Sequence, residues 1–345
     1  MTRVMTRPQR AAVRPSRGFS LIELMISLSI GLIIAGAAFA AYMGTASASR
    51  MADAQGRMND DAQAALSILT QQLRMAGNNP VQANRIDNAQ PTRASRHNPL
   101  YLPTPTYDDY TLLPATFSLS AFSVRGCDGQ FSNLASAARL DDLLCAAGAG
   151  PHAIAVSYEA DRYNTVPTEA LVPTDCAGNA LSVITATLPV MAATGSGSST
   201  SSAVHYAMAD NRFYIASSAG IPSLMCKGNG AERPQALVEN IDDLRLTYGV
   251  LSAASSASSA TVAGYLSANE IRTQPDLAAL PDDAARWAKV ITVRICVLVR
   301  SENAVVADAA SASYLKCDGT LETAAPDLRL RRAYSSTVVL RNRRL

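Results

Sequence analysis

The chain has 345 residues, of which 48% are hydrophobic, 6% aromatic and 17% charged, with 30 basic against 28 acidic side chains and a formal net charge of +2. That length permits one large or two small domains. The apolar content excludes disorder throughout, and the near balance of charge excludes the strong overall basic excess of a dedicated nucleic-acid binder.

Charge is unevenly placed. Met1 to Gly18 holds Arg3, Arg7, Arg10, Arg14 and Arg17 and no acid, so its removal would take the balance from +2 to −3. Leu24 to Ser49 holds no Lys, Arg, Asp, Glu or His, and its most apolar part, Leu24 to Met43, is 20 residues. As a helix that stretch spans roughly 30 Å, the thickness of a bilayer's hydrocarbon core. The positive-inside rule keeps residues 1–18 in the cytoplasm and exports everything after Arg50. A cleaved secretory signal or a plain anchor would also read this way, but the run exceeds the roughly 7 to 15 residues of a signal core. Glu23 stands near its start. A charge at mid-bilayer costs about 2.5 to 3.5 kcal/mol on insertion scales, so an acid there calls for a partner.

The run Arg17-Gly18-Phe19-Ser20-Leu21-Ile22-Glu23-Leu24 resembles the cleavage and methylation site of type IV prepilins. The resemblance implies that a prepilin peptidase cuts between Gly18 and Phe19, and that Phe19 then carries a positive, N-methylated amine. It further implies that Glu23 of one subunit pairs with the Phe19 amine of a neighbour during filament assembly. Removing one partner of such a desolvated pair costs about 3 to 5 kcal/mol. The leader is longer and richer in arginine than many of its kind, which makes Met5 an alternative start. The expected division is a cleaved leader at 1–18, a long N-terminal helix at 19–77 with its transmembrane segment at about 24–43, and an exported β-rich head at 78–345.

Beyond the apolar run, Ala62, Leu66, Leu69 and Leu73 recur on one helical face, with Asp60, Asp61, Gln71, Gln72 and Arg74 largely elsewhere. Gly77 followed by Asn78, Asn79 and Pro80 supplies a stop. A single helix over Phe19 to Ala76 would extend roughly 87 Å. From residue 81 the pattern turns to short β-like runs. Strands are expected at His152 to Tyr158, Leu181 to Leu188, Leu244 to Tyr248, Val290 to Val299 and Ser335 to Leu340. A hairpin is expected to pair Val204 to Met208 with Phe213 to Ser217 across Ala209 to Arg212. Thr194 to Ser202 and Ser252 to Ala260, rich in small residues, read as surface loops, and so does the Pro- and Tyr-containing run Asn98 to Pro114. The fold class is α+β, a pilin-like helix whose second half packs on an antiparallel sheet head.

Six cysteines, Cys127, Cys145, Cys176, Cys226, Cys296 and Cys317, all lie after the apolar run and show no metal-type spacing. An even number on the exported side reads as a disulfide set made in an oxidising compartment such as a periplasm. Six cysteines allow 15 pairings. Sequential pairing closes the shortest loops and is the expectation, with buried free thiols as the alternative.

No enzyme signature is present. His97, His152 and His205 are scattered, and the chain carries no P-loop, dinucleotide fingerprint or nucleophile elbow. Neither a catalytic residue, a metal site nor a cofactor is expected. Adjacent acids at 60/61, 108/109, 141/142, 242/243 and 282/283 suit helix caps, turns and solvated faces better than shared acid–base work. Arg329, Arg331, Arg332, Arg341, Arg343 and Arg344 form a basic cluster near the end of the sequence. Its plain reading is a charged edge strand that discourages stray pairing. The sharper one is contact of Arg341, Arg343 and Arg344 with DNA or an acidic neighbouring pilin.

Several head segments, among them Leu73 to Gly77, Thr174 to Asn179, Leu237 to Leu244, Trp287 to Ser301 and Thr337 to Arg343, resemble PilW-type minor pilins. That resemblance implies a low-abundance subunit that initiates or caps a type IV pilus in twitching motility, adhesion or DNA uptake. Its implied partners are other minor and major pilins, the prepilin peptidase, the inner membrane and a large tip adhesin. The chain would sit in the inner membrane with its head in the periplasm before assembly, and in the extracellular pilus afterwards. The alternative is a single-pass, membrane-anchored periplasmic binding or adhesion module that never enters a filament.

Overall fold

The computed structural model describes residues 18, 20–77, 122–148, 150–191, 199–231, 233–254 and 261–343, with the side chains of 184–206 and of Arg343 left aside. The leader before Gly18, Phe19, His97, the Asn98 to Pro114 run, Asp108, Asp109 and Arg344 lie outside the described residues. Residues up to Ala52 and those from Asp53 onward form two compact units.

Helix α1 runs from Leu21 to Met75. Ser20 and Glu23 start it with a reciprocal cap: the Ser20 amide donates to Glu23 Oε2 at 3.0 Å, and the Glu23 amide donates to Ser20 Oγ at 3.2 Å. In the first unit the large apolar side chains are exposed, as at Leu21 (80%) and Ile33 (72%), and the helix is long and apolar enough to cross a membrane. Its hydroxyls turn back onto the backbone, Ser27 Oγ to the Glu23 carbonyl at 2.7 Å and Ser29 Oγ to that of Met25 at 2.9 Å, so neither needs water.

In the second unit the helix buries Met58, Ala62, Ala65, Leu69 and Leu73. Leu66, expected among them, is only half-buried, because Ala65 and Leu69 take the centre of the stripe. The helix stops at Gly77, whose φ of 72° is the left-handed turn that favours glycine. The Gly77 amide donates to the Ser157 carbonyl at 3.0 Å, which ties the helix end to the sheet.

The first sheet orders as β1 (Val124–Cys127), β2 (Ala153–Ala160), β4 (Ser199–Ser218), β5 (Ile221–Lys227) and β6 (Gln235–Glu239), with β3 (Ile184–Met191) paired to the first half of β4. The second orders as β12 (Arg331–Val339), β9 (Val290–Arg300), β7 (Ile241–Val250) and β8 (Gly264–Leu266). All the named pairings are antiparallel. A small β10 (Tyr314–Leu315) and β11 (Leu321–Glu322) ribbon stands apart. Short helices α2 (Ala268–Thr273), α3 (Pro275–Ala278) and α4 (Asp283–Ala288) bridge β8 and β9. This is the α+β arrangement expected: a long apolar N-terminal helix and an antiparallel sheet head with three disulfides.

The expected hairpin at Ala209 to Arg212 does not exist; those residues lie inside the 20-residue strand β4. Asp210 and Asn211 look like turn formers, but here each finds a partner within the packed head. The Asp210 carboxylate meets the Arg212 guanidinium at 3.2 Å, and Asn211 Nδ2 donates to Gln72 of α1 at 2.8 Å. The same strand takes in Ser199 to Ser202, expected as loop, since pairing with β3 supplies the ladder that composition alone hid. Among the largest buried side chains are Trp287, Tyr158, Tyr248 and Phe213. Tyr248 and Trp287 meet edge to face at 4.9 Å, and a Cβ at Gly126 would overlap the Tyr248 hydroxyl, so that position accepts only glycine.

Candidate assembly site

Two places on α1 carry chemistry, its N-terminus and its last turns. At the N-terminus, Glu23 is exposed and Glu23 Oε2 accepts from both the Ser20 amide and Ser20 Oγ, the latter at 3.2 Å. The second oxygen, Oε1, makes no hydrogen bond within the described residues. The carboxylate is thus held by its own helix through one oxygen. Ser20 was the residue the sequence reading missed, although Ser-x-x-Glu ahead of an apolar run is a known cap signature.

At the other end, the head grips the helix through polar groups. Gln72 Oε1 accepts from Asn211 Nδ2 at 2.8 Å and from the Tyr158 hydroxyl at 3.3 Å, and Asn211 also reaches that hydroxyl at 3.2 Å. Burial pushes the Tyr158 phenol up to about 12, so it stays a neutral donor. Gln72, placed by periodicity largely off the buried face, is therefore half of a buried polar joint. Asn342 Nδ2 donates to the carbonyls of Arg74, Met75 and Ala76 at 3.1, 3.4 and 3.3 Å, and the Tyr334 hydroxyl donates to Asn59 Oδ1. Helix ends leave such carbonyls without partners, and here a side chain from beyond β12 supplies them.

The disulfides join Cys127 to Cys145, Cys176 to Cys226 and Cys296 to Cys317, the sequential set. The first fastens β1 to the 128–145 loop, the second ties the 174–180 turn to β5, and the third pins the β10–β11 connection to β9.

Two members of the basic cluster are paired with acids. Arg331 is buried, its Nε 2.7 Å from Asp242 and its Nη1 2.6 Å from Asp327, while Arg329 also lies against Asp327 at 3.6 Å. Arg341 is exposed, and the side chain of Arg343 and all of Arg344 lie outside the described residues. The paired acids fall into separate duties: Asp282 caps α4 by accepting from the Ala285 amide at 2.7 Å, and Asp243 pairs with Arg245 at 2.8 Å.

His152 is structural in its surroundings: its Nδ1 accepts from the Leu246 amide at 3.0 Å and its Nε2 lies 3.2 Å from Arg245. Burial, and then the Arg245 charge, hold its pKa below the ordinary value. Asp61 shifts the other way, raised by burial and then by Asp60, Glu239 and Glu302, with Arg57 opposing. Among the described residues no three His, Cys, Asp or Glu side chains converge as a metal site. The side chain of His205 is not described.

Residues 212–342 match the family model for PilW, type IV pilus-assembly protein W, and residues 13–39 match the prokaryotic N-terminal methylation motif. Over these two stretches the chain is similar to PilW-type prepilins. The first match runs from the middle of β4 to Asn342, so it takes in the second sheet and the residue that closes α1; the second covers Gly18, Phe19 and Glu23. No curated protein matches the chain, and no solved structure does. The methylation motif and the apolar helix make the PilW-like chain an inner-membrane-anchored pilin that is later assembled into a pilus. Its family points to a structural subunit that meets other pilins and the assembly machinery.

Proposed function

We propose that the PilW-like chain is a minor pilin, a low-abundance subunit that initiates or caps a type IV pilus. The observation that carries this reading is Glu23, exposed and fixed by Ser20 through Oε2 alone at the start of an exposed apolar helix. A carboxylate preset in this way suits a cation brought by another subunit, and the cleavage reading supplies one in the Phe19 amine once the prepilin peptidase has cut after Gly18. Desolvation on entering the filament strengthens the pair, since a charge buried alone costs several kcal/mol. Head-to-tail contacts of this kind extend without closing, as a filament requires. Neighbouring minor and major pilins, and a tip adhesin, are the partners this reading names. Twitching motility, adhesion and DNA uptake are the processes it would serve.

The test is mass spectrometry of the N-terminal peptide from native cells, joined to the variant Glu23→Ala. A methylated Phe19 and loss of Glu23→Ala from sheared filaments are expected. An intact leader, or indifference to Glu23→Ala, would leave the membrane-anchored binding module as the better account. Contact of Arg341, Arg343 and Arg344 with DNA or an acidic pilin is a separate proposal. It fails if changing all three to Gln alters neither DNA retention across a salt series nor minor-pilin association.

A further inference from the structure

Among the described residues strand β12 is the outer strand of the second sheet, and its register sets which of its backbone groups face away from β9. The Ser301 amide donates to the Leu330 carbonyl and the Leu340 amide to that of Ile291, both in the register that sets Arg331 opposite Arg300. In an antiparallel ladder such pairs alternate with pairs that point away. The even residues from Arg332 to Val338 therefore bond to β9. The N–H and C=O groups of Arg331, Ala333, Ser335, Thr337 and Val339 stand on the outer edge, where no described backbone group bonds to them.

Natural sheets blunt such edges with proline, bulges or inward-pointing charges. β12 contains no proline, its register against β9 runs without a shift, and its one buried charge, Arg331, is paired with Asp242 and Asp327. Beside this edge lies a groove of 820 Å³, floored on α1 by Leu66 and Met75 and bounded by Tyr163, Ser335 and Ser336. Arg74 lines it, no acid does, and Arg332 stands on the bounding strand. On one wall of the slot Ser335 holds an outward N–H and C=O that no described backbone group bonds, Leu66 and Met75 offer apolar contact, and Arg74 supplies positive charge.

We propose that this edge takes an extended, acid-bearing segment of a neighbouring pilin-type subunit as an added antiparallel or parallel strand. Main-chain bonds to Ser335 and Thr337 give the affinity, and the arginines select acidic side chains. The inference rests on the filament reading above.

Ser335→Pro and Thr337→Pro each remove one outward N–H while sparing the bonds to β9, which proline at an edge permits. The full-length chain is expressed in native cells with its pilus system, and its amount in sheared filaments is compared with that of the unaltered protein. We expect at least a tenfold fall for either proline variant and a smaller fall for Arg74→Gln, with thermal melting of the detergent-solubilised chain unchanged. Wild-type levels of the proline variants in filaments overturn the added strand. Absence of the unaltered chain from filaments overturns the filament reading instead, and this proposal with it. Should the proline variants fail to fold, hydrogen exchange on the unaltered protein decides. The Ser335 and Thr337 amides should exchange at least tenfold more slowly in filaments than in the solubilised chain, and equal rates overturn the proposal. Slowing that grows with the concentration of the solubilised chain alone assigns the edge to a second copy of this chain and overturns the neighbouring-subunit assignment.

Discussion

Asn342 Nδ2 lies 3.1 Å from the carbonyl oxygen of Arg74, so a side chain beyond the last strand closes the helix that opens the fold. The same amide reaches Met75 and Ala76, and three carbonyls that would otherwise face water share one donor group.

Asn342→Ala should therefore destabilise the head by about 0.5 to 1.5 kcal/mol, the usual net worth of a hydrogen bond. Asn342→Asp should cost more, because a carboxylate offers no N–H and places negative charge at the negative end of a helix. Denaturant unfolding of the detergent-solubilised chain measures both. An aspartate variant as stable as the parent would show that the cap contributes nothing.

The buried triad of Gln72, Asn211 and Tyr158 predicts an asymmetry. Gln72→Leu leaves Asn211 Nδ2 and the Tyr158 hydroxyl short of a partner, which should cost about 1 to 3 kcal/mol. Asn211→Leu breaks the same bond to Gln72 and also takes the acceptor from the Cys176 amide. Because the Gln72–Asn211 bond can be lost only once, the double variant should lose clearly less than the sum of the singles. Strict additivity in a double-mutant cycle would mean the three groups do not act together.

Two titrating groups give opposite pH signatures. The folded pKa of His152 lies below its unfolded value near 6.5, so its contribution is complete above that pH and is lost as pH falls through the folded value. His152→Gln should flatten the loss of stability on acidification from neutrality. The folded pKa of Asp61 lies above 3.8, so its protonated form favours the fold and that contribution fades as pH rises through the folded value. Asp61→Asn should accordingly raise the melting temperature at pH 7 and bring no gain near pH 3. Melting curves collected across pH 3 to 8 check both signs.

The disulfides should rank by the loops they close. Cys176 and Cys226 are 50 residues apart and Cys127 and Cys145 are 18 apart. On the chain-entropy account, removing the first bridge by paired serine substitution costs about 4 kcal/mol and the second about 3 kcal/mol. The reverse order, read from unfolding midpoints, would mean that native packing and not loop closure sets their worth.

What could be read beforehand followed from local physics. The apolar run, the arginines before it and the glycine stop at Gly77 needed only periodicity and charge. Strands with strong alternation or β-branched runs, such as Val290 to Val299, also declared themselves. The hairpin error at Ala209 to Arg212 has a definite origin: Asp210 and Asn211 favour turns alone, and only Arg212, Gln72 and Tyr158, distant in sequence or set by tertiary packing, make a strand there affordable. Strands β1 and β5 are hidden in the sequence by Gly126 and Pro222, residues that weaken a strand pattern, and β6 holds a single β-branched side chain. Gln72 and Asn342 were not picked out because a polar residue on a helix or in a tail announces no partner until the fold brings one.

The polar grip on the last turns of α1 also governs how the head bears tension. Gly77 and Gln72 are held by β2, Gln72 by β4 as well, Asn59 by β12 and the terminal carbonyls by Asn342. A pull along that helix is shared among attachments on both sheets and loads them together, where a helix fastened to one strand would peel away bond by bond.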